Sequence, residues 1–196
     1  MQRSTMKTKP NSEFKIGNTT VGNDHPTYFI ADIAANHDGD LERAKDLIYL
    51  AADRGANAAK FQHFNAKTIV SDYEFKSMGA QKSHQANWKK SVFEVYKDAS
   101  VSLEWTETLK KTCDKAKIDF FTSPYSFELV DHINEYVSAF KIGSGDITWV
   151  DLIEYISQKR KPTIIASGAS STEDVIRSIN SIIKYNQDIC LMQCNT

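Results

Sequence analysis

Six short, almost entirely apolar segments alternate with helical patterns along this 196-residue chain, and that alternation constrains the fold more than any other feature. Strands that are buried on both faces carry few polar residues, so the pattern indicates a parallel sheet covered by helices. The strands are predicted at 28–36, 57–64, 118–125, 139–146, 161–168 and 188–196. Helices are predicted at 37–55, 102–117, 126–135, 150–158 and 171–185, after a small hairpin at 14–22.

A (β/α)8 barrel of the TIM type accounts best for this order, within the α/β class. A doubly wound sheet also alternates, but it usually has a glycine-rich first turn, and "ANHDGD" (35–40) is not G-x-G-x-x-G. An open sheet of only six strands would expose two edges. We therefore expect a disordered segment at 1–13 and, at 14–196, about the first six β/α units of a longer barrel.

Composition argues against several classes of partner. The formal net charge of −1 gives no reason to expect nucleic acid or an acidic membrane. Cys190 and Cys194 would lie roughly 13 Å apart on one strand, too far for a disulfide, so free thiols in a reducing compartment are expected. No apolar run is long enough for a membrane span, and the first residues lack the apolar centre of a signal peptide. The sequence predicts a soluble, cytoplasmic protein.

Two lysines lie inside apolar strands, Lys60 in "AAKFQHF" and Lys141 in "AFKIGSGD". A buried lysine is costly unless it meets an anion. Alternate side chains of a barrel strand face the interior, so Lys60 and Gln62 share one face, as Asp32 and Asn36 do on the first strand. Asp32, Lys60 and Lys141 can then converge on a small phosphate or carboxylate. The alternative is that Lys60 and Asp32 form only a structural ion pair.

Polar or small residues follow each predicted strand, where parallel α/β proteins place their active sites. They are Asn36-His37, Gln62-His63, Ser123-Pro124, Ser144-Gly145, Ser167-Gly168 and Asn195-Thr196. His37 and His63 are either substrate ligands or simply hydrogen-bonded strand-end histidines. The segment 66–100 exceeds an ordinary βα connection, which favours a lid over the substrate.

Five blocks, in order, resemble the barrel domain of the sialic acid synthase (N-acetylneuraminate synthase) family. They are "FIADIAANHDGDLERAKDLI", "GANAAKFQHF", "FFTSPYS", "AFKIGSGD" and "KPTIIASGAS". The resemblance implies condensation of phosphoenolpyruvate with the open-chain aldehyde of an N-acylated sugar such as N-acetylmannosamine. The products would be a nonulosonic acid and phosphate. Phosphoenolpyruvate, with its phosphate and carboxylate, would be the anion that the two lysines bind.

Several residues match the family pattern directly. Lys60 and Gln62 match its second-strand lysine and glutamine, and Lys141 and Ser144 match the fourth-strand lysine and serine that hold phosphoenolpyruvate. Ser123 stands where the family has threonine or serine before proline. The resemblance thus implies catalytic roles for the two lysines and substrate binding for the others.

The chain also departs from that pattern. Asp32 and Asp146 stand where the family often has the longer glutamate; Asp32 is expected to be catalytic and Asp146 to bind substrate. Ala166 replaces the serine of a common serine-threonine-glycine sequence, so Ser167 supplies the remaining hydroxyl. Asn36 and His37 complete the expected substrate-binding set.

The resemblance further implies a divalent metal, Mn²⁺ or Mg²⁺, which would polarise the sugar aldehyde as a Lewis acid. Its histidine ligands are expected beyond residue 196, with none in this segment. A C-terminal antifreeze-like domain is expected there too, reaching into the partner's site in a homodimer.

Three alternatives stay open from the sequence. Another phosphoenolpyruvate-dependent keto-deoxy sugar acid synthase would share most of these features. A Schiff-base aldolase would form a borohydride-trappable lysine adduct and need no metal. An inactive binding fragment is the third.

Overall fold

A computed structural model of the chain describes residues 9–77 and 89–194. Within these ranges the strands are β1 Glu13–Ile16, β2 Thr19–Gly22, β3 Ile30–Ala34, β4 Ala58–His63, β5 Asp119–Pro124, β6 Phe140–Ile142, β7 Thr163–Ala166 and β8 Ile189–Met192. The α-helices are α1 Leu41–Asp53, α2 Ala66–Ile69, α3 Asp72–Ser77, α4 Val92–Ala99, α5 Thr106–Ala116, α6 Phe127–Ile133, α7 Val150–Gln158 and α8 Thr172–Ile183. Short 3₁₀ turns cover Leu103–Trp105 and Ser144–Asp146.

The strands from β3 onward run parallel, in sequence order, in two ladders. One ladder joins β3, β4 and β5, and the other joins β6, β7 and β8. β5 and β6 lie next to each other and bring the two ladders into one curved wall. This is the order of a TIM-type barrel, in which each strand is followed along the chain by helical structure.

One apolar layer lies on each side of this wall. The larger one packs the helices against its outer face and includes Ile48, Leu109 and Ile153. The smaller one fills the interior, where Phe121 and Ile164 meet Ile16 of the β1–β2 hairpin. Ile16 is only 1% exposed, and Gly17 lies against Asp119 at the start of β5, so the hairpin packs at the end of the interior opposite the carboxyl ends of the strands.

The N-terminal segment is tied to the end of the described chain. Residues 1–8 of the segment expected to be disordered lie outside the described part. Asn11, however, donates from its backbone N to the Gln187 carbonyl at 2.9 Å and from Nδ2 to Asp188 Oδ1 at 2.6 Å. Order therefore begins before residue 14, because the residues leading into β8 offer hydrogen-bond acceptors.

Helix ends follow local capping chemistry. The helix predicted from 37 begins only at Leu41, since Asp40 Oδ1 accepts from the backbone N of Glu42 at 2.8 Å and of Arg43 at 3.1 Å. The predicted capping box of Ser171 and Asp174 is present at the start of α8. Ser102 makes no capping bond with its side chain, and a 3₁₀ turn precedes α5 instead. None of the helices in the described ranges is long and apolar enough to cross a membrane.

Candidate active site

A cavity of about 490 Å³ opens at the carboxyl ends of the parallel strands. All six of these strands, or the residues directly after them, contribute to its lining. The lining residues are Ile30, Asp32, Lys60, Gln62, Tyr125, Lys141, Gly143, Ser144, Gly145, Asp146, Ala166, Met192, Gln193 and Cys194. The cavity thus contains two cations, two carboxylates and a serine, which is the chemistry of a site for a small anion.

Lys60 and Asp32 form an ion pair across neighbouring strands. Register places Asp32 of β3 opposite Lys60 of β4, and Lys60 Nζ lies 2.8 Å from Asp32 Oδ1. The Lys60 side chain is 10% exposed, whereas that of Asp32 is 62% exposed. Asp32 therefore balances the charge of a buried lysine while its own carboxylate stays open to the cavity and solvent.

Lys141, unlike Lys60, is held by a backbone carbonyl and not by a carboxylate. Its Nζ donates to the backbone carbonyl of Ile142 at 2.6 Å, and in the described part of the chain no carboxylate forms an ion pair with it. Burial, together with the smaller effect of the nearby positive charge of Lys60, lowers the pKa of Lys141 to about 8. An anion that lies between the two lysines would offset their repulsion and favour the charged form of Lys141.

Asp146 closes one side of the cavity from the 3₁₀ turn after β6. Burial raises the pKa of its carboxyl group, while the charge of Lys141 acts in the opposite direction. A Cβ atom on Gly143 would lie only 2.9 Å from Asp146 Oδ2. Gly143 therefore permits the close approach of this carboxylate to the strand end.

Ser144 owes its position to Gly168. Gly168 has a φ of +55°, and a Cβ atom there would lie 2.6 Å from the Cβ of Ser144. Both the left-handed backbone and the space require glycine at this point. The loops after β6 and β7 can consequently meet at the cavity wall.

Tyr125 is a cavity residue that the sequence did not nominate. Gln62 Nε2 donates to its hydroxyl at 3.2 Å. Burial raises the pKa of Tyr125, and the carboxylates of Asp146 and Asp32 add to the effect, so the phenol is neutral at physiological pH. Tyr125 directly follows Ser123-Pro124 at a strand end, and this position is the sequence signal that could have found it.

Asn36 and His37, predicted to bind substrate, do not line the cavity. Register shifts between Asp32 and Ala34, and Ala34 has a φ of +52°, so β3 ends before Asn36 and the face shared with Asp32 is lost. Asn36 Nδ2 donates to the Ile33 carbonyl at 2.9 Å. His37 is fully buried; its Nδ1 accepts from the backbone N of Gly39 at 3.1 Å, and its ring meets Trp105 edge to face.

Ser123 and Ser167 also lie outside the cavity lining. Ser123 is 2% exposed on β5, and its Oγ is buried without a hydrogen-bond partner among the described residues. Ser167 Oγ donates to Gln193 Oε1 at 2.8 Å and so contacts the lining indirectly. Asp32, Lys60, Gln62, Lys141, Ser144 and Asp146 are the predicted residues that the structure brings together.

His63 is a buried structural residue. Its Nδ1 lies 2.7 Å from Thr122 Oγ1 and its Nε2 lies 3.0 Å from Thr106 Oγ1. Burial, with smaller effects from the nearby His132 and His37, lowers the pKa of His63 to about 3. Of the two roles considered for this histidine, the hydrogen-bonded one is present.

The segment 66–100, expected to be a lid, contributes α2, α3 and α4, and its residues 78–88 lie outside the described part. Together with Phe64 and Leu129, α2 and α4 line a separate cavity of about 330 Å³. Lys67 and Lys97 lie at that second cavity, away from Lys60 and Lys141. A lid role stays a prediction.

The divalent metal that the resemblance implies is expected to take its ligands from beyond residue 196, outside the described residues. Across 9–77 and 89–194, no group of three or more histidine, cysteine, aspartate or glutamate side chains is placed to hold a metal ion. Asn195 and Thr196 lie outside the described residues.

Comparison with known proteins decides the family. A family model described as the NeuB family matches residues 47–196. The chain belongs to the NeuB family. Among its NeuB relatives, N,N'-diacetyllegionaminic acid synthase of Campylobacter jejuni is 33% identical over 174 residues, covering 87% of this chain and 52% of that protein. Human N-acetylneuraminate-9-phosphate synthase is 32% identical over 184 residues, covering 90% of this chain and 48% of that protein.

A solved structure extends the likeness to three dimensions. N-acetylneuraminic acid (sialic acid) synthetase from Leptospira borgpetersenii, in complex with citrate, superposes with a TM-score of 0.80 at 26% identity. The match covers 96% of this chain and 61% of that one. The α/β barrel prediction and the suspected family are confirmed. This NeuB chain spans about half the length of the curated relatives it matches.

Proposed function

We propose that this NeuB barrel binds phosphoenolpyruvate between Lys60 and Lys141 and condenses it with an N-acylated sugar aldehyde. The products would be a nonulosonic acid and inorganic phosphate. One observation carries the proposal: two lysines from different strands line one cavity that also contains Asp32 and Asp146. Relatives that are named acid synthases for sialic and legionaminic acids support it.

The lysines would act first by positioning. Two cations can hold the phosphate and carboxylate of phosphoenolpyruvate as point charges, which fixes its methylene carbon toward the aldehyde. The methylene carbon forms the new carbon–carbon bond, and the aldehyde oxygen becomes a hydroxyl. Water then adds at the carbon that carries the phosphate, and the phosphate leaves.

Asp32 would act at the carbon that becomes electron-poor. Its carboxylate is largely exposed although it is bonded to Lys60, so a negative charge is available beside the bound anion. Positive character at the phosphate-bearing carbon is stabilised by such a fixed charge. The hydroxyl of Ser144 and the amide of Gln62 line the same cavity and supply donors to the phosphate or carboxylate.

The identity of the sugar belongs to the proposal. The relatives differ in their named products, N-acetylneuraminate-9-phosphate for the human protein and N,N'-diacetyllegionaminic acid for the Campylobacter one. N-acetylmannosamine is therefore one candidate within a class of amino-sugar aldehydes. We also propose a requirement for Mn²⁺ or Mg²⁺ with ligands beyond residue 196, a C-terminal antifreeze-like domain, a homodimer and a cytoplasmic location for the whole protein.

The test compares Lys60→Ala with the unaltered whole protein. Each is mixed with phosphoenolpyruvate, Mn²⁺ and N-acetylmannosamine, and phosphate release is followed together with the mass of the sugar product. We expect a raised KM for phosphoenolpyruvate and a lowered kcat. Lys45→Ala is the matched control, because Lys45 pairs with Glu42 on the outer helix α1 and lies away from the cavity.

Near-normal turnover and affinity in Lys60→Ala would contradict the assignment. An aldolase would instead use pyruvate as its donor and release no phosphate. Phosphoenolpyruvate binding that depends on Lys60, without product, would keep the anion site and direct the search to other sugar aldehydes.

A further inference from the structure

The two cavity lysines offer a ligand different chemistry. Lys60 is fixed by Asp32 at 2.8 Å and presents a positive charge. Lys141 donates to the Ile142 carbonyl, and no carboxylate of the described residues forms an ion pair with it. Lys141 thus lies beside a fixed cation without a carboxylate partner of its own, in a cavity open to small molecules.

Burial makes that amine available near neutral pH. With its pKa lowered to about 8, about a tenth of Lys141 is uncharged at pH 7. A lysine at the ordinary pKa of about 10.5 is uncharged in only about one molecule in 3,000 at that pH. Only the uncharged amine is a nucleophile, and desolvation or a neighbouring cation is a known way to activate a lysine.

We propose that Lys141 is a site of covalent modification by small anionic aldehydes, with Lys60 binding the anionic group. The Nζ of Lys141 attacks the aldehyde carbon and forms a carbon–nitrogen bond, and the aldehyde oxygen takes up a proton from the amine. Loss of that oxygen as water, with the second amine proton, leaves an imine. No oxidant or reductant is needed for this step.

The modification is distinct from the condensation reaction. The adduct needs neither turnover nor phosphoenolpyruvate, and it occupies the cavity in which phosphoenolpyruvate would bind. Any anion that binds between the lysines should therefore prevent it. An aldolase intermediate, in contrast, would form with the donor substrate itself and proceed to product.

The probe is pyridoxal 5'-phosphate, an aldehyde with a phosphate group. The purified protein is incubated with it at pH 7, borohydride reduces the imine to a stable secondary amine, and peptide masses locate the label. We expect labelling of Lys141 in at least about tenfold excess over other lysines, given its roughly 300-fold larger uncharged fraction. Inorganic phosphate should suppress this labelling.

Lys161 provides the matched internal control. Burial also lowers its pKa, but it donates to the carbonyls of Asn134 and Val137 and lies outside the cavity lining. Equal labelling of Lys161 and Lys141 would show that burial alone explains the reactivity and would overturn the proposal. Labels spread over exposed lysines, or no protection by phosphate, would overturn it too. These measurements need no variant.

Two further comparisons assign the role of Lys60. In Lys60→Gln, labelling by pyridoxal 5'-phosphate should fall more than labelling by pyridoxal, which lacks the phosphate. Equal losses with both probes would remove Lys60 from the proposal. Condensation activity without selective labelling would refute only this inference, whereas selective labelling without phosphate release from any amino-sugar aldehyde would refute only the proposed function.

Discussion

Gly168 offers a direct test of how the loops after β6 and β7 shape the cavity. In Gly168→Ala, the new Cβ atom would lie 2.6 Å from the Cβ of Ser144, on a backbone with a φ of +55°. The Cβ of Ser144 is fixed to the backbone and cannot rotate away, so the two loops must separate. We expect both the stability and the affinity for phosphoenolpyruvate to fall.

The expected loss of stability in Gly168→Ala has two parts. A non-glycine residue in the left-handed region costs about 1–2 kcal/mol, and overpacking a tight contact costs about 1–3 kcal/mol more. The free energy of unfolding should therefore fall by about 2–5 kcal/mol in Gly168→Ala. Loss of the Ser144 hydroxyl as a donor to a charged ligand would weaken phosphoenolpyruvate binding by about tenfold to a hundredfold.

Substitutions at two other glycines separate the backbone cost from the packing cost. Gly55 has a φ of +85°, and a Cβ atom there would meet nothing within 4 Å, so Gly55→Ala carries the backbone cost alone. Gly145 has neither a positive φ nor a neighbour within 4 Å, so Gly145→Ala should leave stability unchanged or raise it by up to about 1 kcal/mol. Urea unfolding measures stability, and calorimetric titration measures phosphoenolpyruvate binding.

The comparison with Gly55→Ala decides the outcome. If Gly168→Ala is less stable than that control by under about 0.5 kcal/mol and binds phosphoenolpyruvate normally, the contact with Ser144 does not shape the cavity. If Gly55→Ala and Gly168→Ala lose about the same stability but only Gly168→Ala loses affinity for phosphoenolpyruvate, the loops after β6 and β7 have separated without a packing cost.

The remaining predictions concern pH. Phosphoenolpyruvate affinity, measured by titration calorimetry, should fall as pH rises through about 8, because Lys141 loses its proton there. Lys141→Arg should show no such fall. A flat pH profile of affinity in the unaltered protein would contradict the lowered pKa of Lys141. The pKa of His63 is about 3 in the folded protein and about 6.5 when unfolded, so stability is retained above pH 6.5 and lost as pH falls toward 3. In urea unfolding, the free energy of unfolding should fall by up to about 1.4 kcal/mol per pH unit below about 6.5. The fall should be smaller in His63→Leu. An identical pH dependence in the variant and the unaltered protein would refute the role of His63.

The order of strands and helices was predictable because it follows from periodicity. Apolar runs separated by helical spacing require a parallel, covered sheet, and α7 was found at the predicted 150–158. Lys60 and Lys141 were predictable as a pair because lysine inside an apolar strand needs an anion. Their meeting in one cavity follows from the shared carboxyl end of the strands.

The structure departs from the predicted strand geometry where the backbone is irregular. Alternation along β3 placed Asn36 beside Asp32, but the register shift and the positive φ of Ala34 end the strand first. Alanine gives no sequence signal for a left-handed backbone, unlike glycine or asparagine. Tyr125 was missed for another reason: its ring packs like a core residue, while its hydroxyl reaches Gln62.

The contact between the N-terminal segment and the residues leading into β8 also sets an order for folding during synthesis. An isolated hairpin forms within about 1–10 μs, but Asn11 bonds to Asp188, 177 residues later in the chain. At about 5–20 residues per second, a ribosome needs roughly 9–35 s to make that stretch. Ile16 can pack against Phe121 and Ile164 before β8 is made, but the bonds of Asn11 must wait for β8, so attachment of the N-terminal segment is a late event for the nascent chain.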